Sequence, residues 1–136
     1  MKQSFRKDER LKSDKVIEML FSRGNTFLVH PFRVNWLTEN KTGDIPAKVL
    51  IGVSRKNLRK AVQRNQMKRL CREAYRKNKH ILYDHLEDRN LRCDFSIIFI
   101  GKERAEYSVI EQKIITILKR LISELEQHSN TNTSSS

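Results

Sequence analysis

An α+β fold is predicted, a two-layer sandwich in the order αββαβα with a small mixed sheet packed by helices, and three observations lead to it. Apolar residues recur at helical spacing in separate stretches at 14–23, 61–79 and 108–125. Between them, Phe32-Arg-Val-Asn-Trp36 alternates apolar and polar residues, and Cys93-Asp-Phe-Ser-Ile-Ile-Phe-Ile100 is short, apolar and β-branched, so both read as strands. With 136 residues and 38% hydrophobic content the chain can bury one modest core, which helices laid against a single sheet would enclose.

Residues 1–12 form a basic arm in which Phe5 stands among Arg6, Lys7, Arg10 and Lys12, placed either to stack on a base or to pin the arm to the sheet. A single domain is expected over residues 13–126. Its first helix begins at Asp14, because Ser13 is a good N-cap and an acid suits the positive end of the helix dipole, and it ends at Gly24. Val16, Ile17, Leu20 and Phe21 give that helix one apolar face. Phe27 to Leu37 reads as a strand, with His30-Pro31 as a bulge or edge feature. Phe32, Val34 and Trp36 then face the core, and Arg33 and Asn35 face the other way.

The turn-rich segment Thr38 to Pro46 leads into a returning strand, Ala47 to Val53. Ile81, Leu82 and Leu86 fit a short helix under the sheet with Asp84, Glu87 and Asp88 exposed, and residues 92–101 form a central strand. Ser108 with Glu111 is a capping-box signature for the last helix, whose Ile110, Ile114, Ile117, Leu118, Leu121, Ile122 and Leu125 make a wide apolar face. Residues 127–136 are polar throughout and are expected to be a disordered tail.

Charge narrows the function. Formal net charge is +12, and the stretch from Arg55 to Lys79 holds eleven Lys and Arg against one acid, Glu73. On a helix at 100° per residue, Arg64, Lys68, Arg72 and Arg76 fall in one i, i+4 row with Asn65, Arg69 and Lys79 beside it, while Met67, Leu70, Cys71, Ala74 and Ile81 gather on another side. A row of like charges in consecutive turns repels itself by a few tenths of a kcal/mol per pair, roughly, so it calls for a polyanionic partner. Arginine suits phosphate because its planar fork makes two parallel hydrogen bonds, and Asn65 and Gln66 add uncharged donors for sugar or base edges.

Other classes fit poorly. The longest aliphatic and aromatic run is Ile97 to Ile100, no membrane partner is expected, and a charged N-terminus without an apolar segment points to the cytoplasm. Cys71 and Cys93 lack ligand spacing and read as small buried hydrophobes. The acids are scattered and the four histidines share no spacing, so no catalytic and no metal-holding residue is assigned to this chain.

The run Ile51-Gly-Val-Ser-Arg-Lys56 followed by Ala61-Val-Gln-Arg-Asn-Gln-Met-Lys-Arg-Leu-Cys-Arg-Glu-Ala-Tyr-Arg76 resembles the signature of the protein component of bacterial ribonuclease P. That family carries a strand ending in a Gly-x-Ser/Val-x-Lys-Lys type turn, then Ala-Val-x-Arg-Asn-Arg-x-Lys-Arg-x-x-Arg-Glu. Two positions depart from it. Gln66 stands where the family has the second arginine of Arg-Asn-Arg, and Arg59 or Lys60 replaces a glycine before Ala-Val.

The resemblance implies a left-handed βαβ crossover through the basic helix and a role as the assisting subunit of a ribonucleoprotein endonuclease. There the RNA subunit, holding magnesium ions, hydrolyses the bond that joins the 5′ leader to tRNA. The protein binds no metal tightly and requires no protein partner. Its implied partners are ribonuclease P RNA, contacted by Arg55, Lys56, Arg59, Lys60, Arg64, Asn65, Lys68, Arg69, Arg72 and Arg76, and precursor tRNA. For the leader the candidates are Phe5, Ile17, Phe21, Arg33 and Asn35, with Phe21 matching an aromatic position of the family's cleft and Ile17 standing where an aromatic is often found. The rival reading is a structural RNA-binding protein of ribosomal type, which shares the basic helix and the small α+β fold.

Overall fold

Helix α1 spans Asp14–Arg23 and opens as its residues dictate, with the Ser13 hydroxyl accepting from the Val16 N–H and the Gly24 N–H closing on the Leu20 carbonyl. The computed structural model describes residues 5–134, with side chains described for residues 5–128. Strands β1 (Asn25–Val29), β2 (Phe32–Asn40) and β3 (Ala47–Val53) follow, then α2 (Ala61–Asn78), α3 (His80–Asp88), β4 (Leu91–Phe99) and α4 (Tyr107–Ser134). Here the chain is fuller than αββαβα. The predicted strand from Phe27 to Leu37 is a β1–β2 hairpin whose two-residue turn is His30-Pro31, joined by a cis bond. Proline cannot donate to a sheet ladder, so the chain reverses there instead of bulging.

The sheet order is β1-β2-β4-β3, with β1, β2 and β4 antiparallel in turn and β3 parallel to β4. A parallel pair needs a crossover, and α2 and α3 supply it. One sheet face carries Phe27, Phe32, Val34, Trp36, Val49, Ile51, Phe95, Ile97 and Phe99, and these bury against Met67, Cys71, Ala74 and Tyr75 of α2, Leu82 and Leu86 of α3 and the isoleucine and leucine stripe of α4. Both cysteines are free and buried in that core, where burial pushes the Cys71 thiol up to about 12.

The α+β class and the mixed sheet are as expected, and α1 adds a partial layer on the second face. Its Leu20 is fully buried outside the main core cluster, against β2 and β4. At the start of α4 the predicted capping box does not form. Glu111 accepts instead from Asn78 Nδ2 at 3.1 Å and from the Tyr107 hydroxyl at 3.3 Å. Nor does α4 stop at 126. It runs to Ser134, because neither glycine nor proline follows Leu125, and His128 meets Trp36 edge-on with ring centroids 5.7 Å apart. Ser135 and Ser136, the end of the predicted tail, lie outside the described residues.

The N-terminal arm is held along the open edge of β3. The Leu11 N–H donates to the Val49 carbonyl at 3.0 Å, and Arg10 forms a parallel bridge to Val49. A 3₁₀ turn, Lys7–Glu9, precedes it. Glu9 is buried and pairs with the Lys79 ammonium, while also accepting from the Tyr83 hydroxyl at 2.5 Å and from the Arg6 N–H at 2.7 Å. Phe5 packs edge-on against Tyr75 with centroids 5.3 Å apart, so it anchors the arm to α2 and not to the sheet.

Candidate nucleic-acid interface

Two surfaces emerge, on opposite faces of the sheet. The first is built on α2, whose apolar side is fixed to the core through Met67, Cys71, Ala74 and Tyr75 and whose cations therefore turn outward. Asn65, Arg69 and Arg72 are exposed and Lys68 is half-buried, and none of the four hydrogen-bonds or ion-pairs with another side chain among the described residues. They line a cavity of about 580 Å³ with Arg76, and its facing wall is Phe5 and Arg10 of the arm. Phe5 thus stands with the α2 cations and not beside Phe21, because its ring is committed to Tyr75 on the core side of the sheet.

Two members of the cationic row have work inside the chain. Arg64 donates through Nη1 to the carbonyls of Leu58 at 3.1 Å and Arg59 at 2.5 Å, and so ties down the loop before α2. Arg76 is neutralised by Glu73, with Nε 3.0 Å from Oε2 and Nη2 2.6 Å from Oε1. That pair holds the Glu73 carboxyl below its usual value, the Arg76 hydrogen bond being the main cause. Lys68 and Arg72 of the row and Arg69 beside it thus face outward without an acid among the described residues, whereas Lys79, expected beside the row, is buried and pairs with Glu9.

The loop that presents Arg55, Lys56, Arg59 and Lys60, all exposed, is well anchored. Leu58 is buried in the core, the Ser54 N–H donates to the Phe99 carbonyl at 2.9 Å, and Asn57 Nδ2 donates to the Ile100 carbonyl at 2.7 Å. Lys60 has φ −77°, and among the described residues the only non-glycine with positive φ is Asn90. The loop therefore needs no glycine at Arg59 or Lys60. Gln66, the other departure from the family pattern, accepts from Arg104 Nη1 at 2.8 Å. This contact brings a cation from the β4–α4 loop to the helix, which spacing within α2 alone does not foreshadow.

The second surface lies on the face that α1 only partly covers. Strand register lines up Leu28, Arg33, Ile98 and Gly52 as one row across all four strands, and Thr26, Asn35, Ser96 and Leu50 as the next. Helix α1 lies over the second row, leaving Asn35 5% and Ser96 0% exposed. The first row stays open, with Leu28 60% exposed and Arg33 exposed opposite it. Val16, on one flank of α1, lines a cavity with Lys48, Arg92 and Asp94 beyond the covered row. Ile17 and Phe21 lie about 100° and 140° around the helix from Val16, on the flank facing the open row.

Asn35 does not reach the open row. Alternation puts it on the same face as Arg33, but α1 covers it and its Nδ2 donates to Thr26 Oγ1 at 3.0 Å. Leu28 takes its place, a residue whose position opposite the buried Phe27 in a period-2 strand was a readable signal. Phe21, 43% exposed, adds an aromatic ring on the α1 side of that row.

Residues 5–122 match the family profile described as Ribonuclease P. The chain belongs to the ribonuclease P protein family. It is 34% identical to the ribonuclease P protein component of Porphyromonas gingivalis over 115 residues, which cover 85% of this chain and 84% of the relative. With the corresponding protein of Chlorobium phaeobacteroides it shares 29% identity, covering 90% and 91%. The solved ribonuclease P protein of Thermotoga maritima superposes with a TM-score of 0.63 at 28% identity, covering 82% of this chain and 96% of that one. Family membership makes this chain a subunit of the enzyme that matures the 5′ end of tRNA. Among the described residues no helix is long and apolar enough to cross a membrane.

Proposed function

We propose that this chain docks on the ribonuclease P RNA through the exposed cations of α2 and its preceding loop, and lays the 5′ leader of precursor tRNA on the open row of the sheet beside α1. The observation that supports this division is the separation of the two surfaces. Lys68, Arg69 and Arg72 with Arg55, Lys56, Arg59 and Lys60 form a dense array for phosphates. Leu28, Ile98, Ile17 and Phe21 with the single cation Arg33 offer apolar contact and stacking, which tolerate many leader sequences.

Among the described residues no group of three or more His, Cys, Asp and Glu side chains is placed to hold a metal ion. We assign the metal-dependent hydrolysis to the RNA subunit, in the cytoplasm. What this chain contributes is position, by fixing the leader relative to the RNA on which it is docked. It is tested by cleavage of a precursor tRNA with the cognate RNA at low magnesium. Cleavage is expected with both components and with neither alone, and an unaltered rate on adding the chain would overturn the assisting role.

Phe21→Ala is expected to weaken precursor binding to the assembled enzyme by roughly tenfold, the value of one base–aromatic stack. Mature tRNA should bind as before. An equal loss for both tRNAs would move Phe21 off the leader surface.

A further inference from the structure

We infer that Arg10 of the N-terminal arm is a phosphate-binding residue for the catalytic RNA, so that the RNA lies in a trench between the arm and α2 rather than on a helix face. This rests on the proposed docking of α2 on that RNA. The trench has walls of separate origin. One is the α2 row, and the other is the arm, which places Arg10 and Phe5 along the same cavity as Lys68, Arg69 and Arg72.

Three anchors fix the second wall. The arm backbone is hydrogen-bonded to the β3 edge at Val49, Phe5 sits on Tyr75, and buried Glu9 is clasped by Lys79 and Tyr83 at the α2–α3 corner. Within this frame the Arg10 guanidinium lies over the Phe5 ring at 5.1 Å from its centroid. A cation held over an aromatic face keeps its in-plane N–H donors directed sideways, available to an anion. Arg10 is exposed and makes no ion pair with an acid among the described residues. Asp8 and Glu9 are the acids nearest in sequence and Glu73 lines the same cavity, but Glu9 is satisfied by Lys79 and Tyr83, and Glu73 by Arg76 and Lys77. A guanidinium that is positioned but unneutralised, facing three further cations across a groove, fits a phosphodiester backbone threaded between them.

The test measures equilibrium binding of the full-length chain to the cognate RNA across a salt series, without any tRNA present, for Arg10→Ala, Arg10→Lys and Arg72→Ala. Because the Arg10 side chain is exposed and its backbone bridge survives the change, the variants should melt as the parent does. Arg10→Ala is expected to weaken binding about tenfold and to flatten the log-log salt slope by roughly 0.7 to 0.9, one phosphate contact. Arg10→Lys should restore the slope but only part of the affinity, since it keeps the charge and loses the fork. If Arg72→Ala weakens binding and Arg10→Ala does not, the trench is wrong while the α2 surface stands. If neither variant matters, the docking reading itself fails and this inference with it. An Arg10→Ala defect confined to precursor tRNA binding by the assembled enzyme would also overturn it, by assigning Arg10 to the leader.

Discussion

Replacing Arg69 and Arg72 together by alanine is expected to weaken binding to the catalytic RNA by about a hundredfold at low salt. Each is exposed, lies in the α2 trench and has no acid to neutralise it among the described residues. A charge-assisted hydrogen bond contributes about 1.5 kcal/mol or more net, and two such losses correspond to roughly two orders of magnitude. The salt slope should become shallower by about 1.5, because two counterion-releasing contacts disappear. Arg76→Ala serves as the contrast. Its guanidinium is bound twice by Glu73, so removing it should change the slope far less. Equal effects for the pair and for Arg76 would mean that the row acts as a diffuse charge and not through particular phosphates.

Glu9→Ala is expected to lower unfolding free energy by about 3 kcal/mol, which for a domain of this size is a fall in Tm of about 10 °C. The substitution removes the buried carboxylate that the Lys79 ammonium and the Tyr83 hydroxyl share, and breaking a buried ion pair at one partner costs more than the pair contributes. The clasp also sets an acid limit. Burial works to raise the Glu9 carboxyl, but hydrogen bonds from the Arg6 N–H, Lys79 and Tyr83 outweigh it and hold it below the usual value near 4.5. A carboxyl depressed on folding binds its proton more readily in the unfolded chain. Its stabilisation is therefore complete above about 4.5 and is lost as pH falls through the lower folded value. Denaturant melts between neutral pH and pH 3 should show this decline in the parent and lose it in Glu9→Gln. A decline of the same size in both would place the acid sensitivity elsewhere.

Short-range chemistry was legible in the sequence and long-range pairing was not. Ser13, Asp14 and Gly24 bound α1 because capping is settled within three or four residues. The packing side of α2 followed from periodicity, and Met67, Cys71 and Ala74 are buried as that requires. The hairpin at His30-Pro31 was hidden because Phe27 to Leu37 is β-forming on both sides of the turn, and a lone proline marks an irregularity without distinguishing a bulge from a reversal. Asn35 was misjudged for a different reason. Alternation gives its face correctly, but whether a helix covers that face depends on how α1 crosses the sheet.

On α2, Glu73 was readable three residues before Arg76 as its neutralising partner, whereas the reach of Arg64 back to the Leu58 and Arg59 carbonyls needed the loop's path. The arm was least legible of all. Its contacts to Tyr75, Lys79 and Tyr83 cross some seventy positions of sequence, and a short basic segment with one phenylalanine carries no periodic signal.

The arm also answers a problem that has nothing to do with RNA. With the order β1-β2-β4-β3, strand β3 lies at a margin of the sheet, and its outer backbone groups would be a template for pairing with another chain. The Leu11 amide bonded to Val49, with Arg10 and Lys12 on either side, blocks that margin with backbone already paired and with charge. The segment that walls the trench is thus also what shields β3 from its counterpart in a second molecule. Loosening the Glu9 clasp would uncover that margin for pairing with a second molecule.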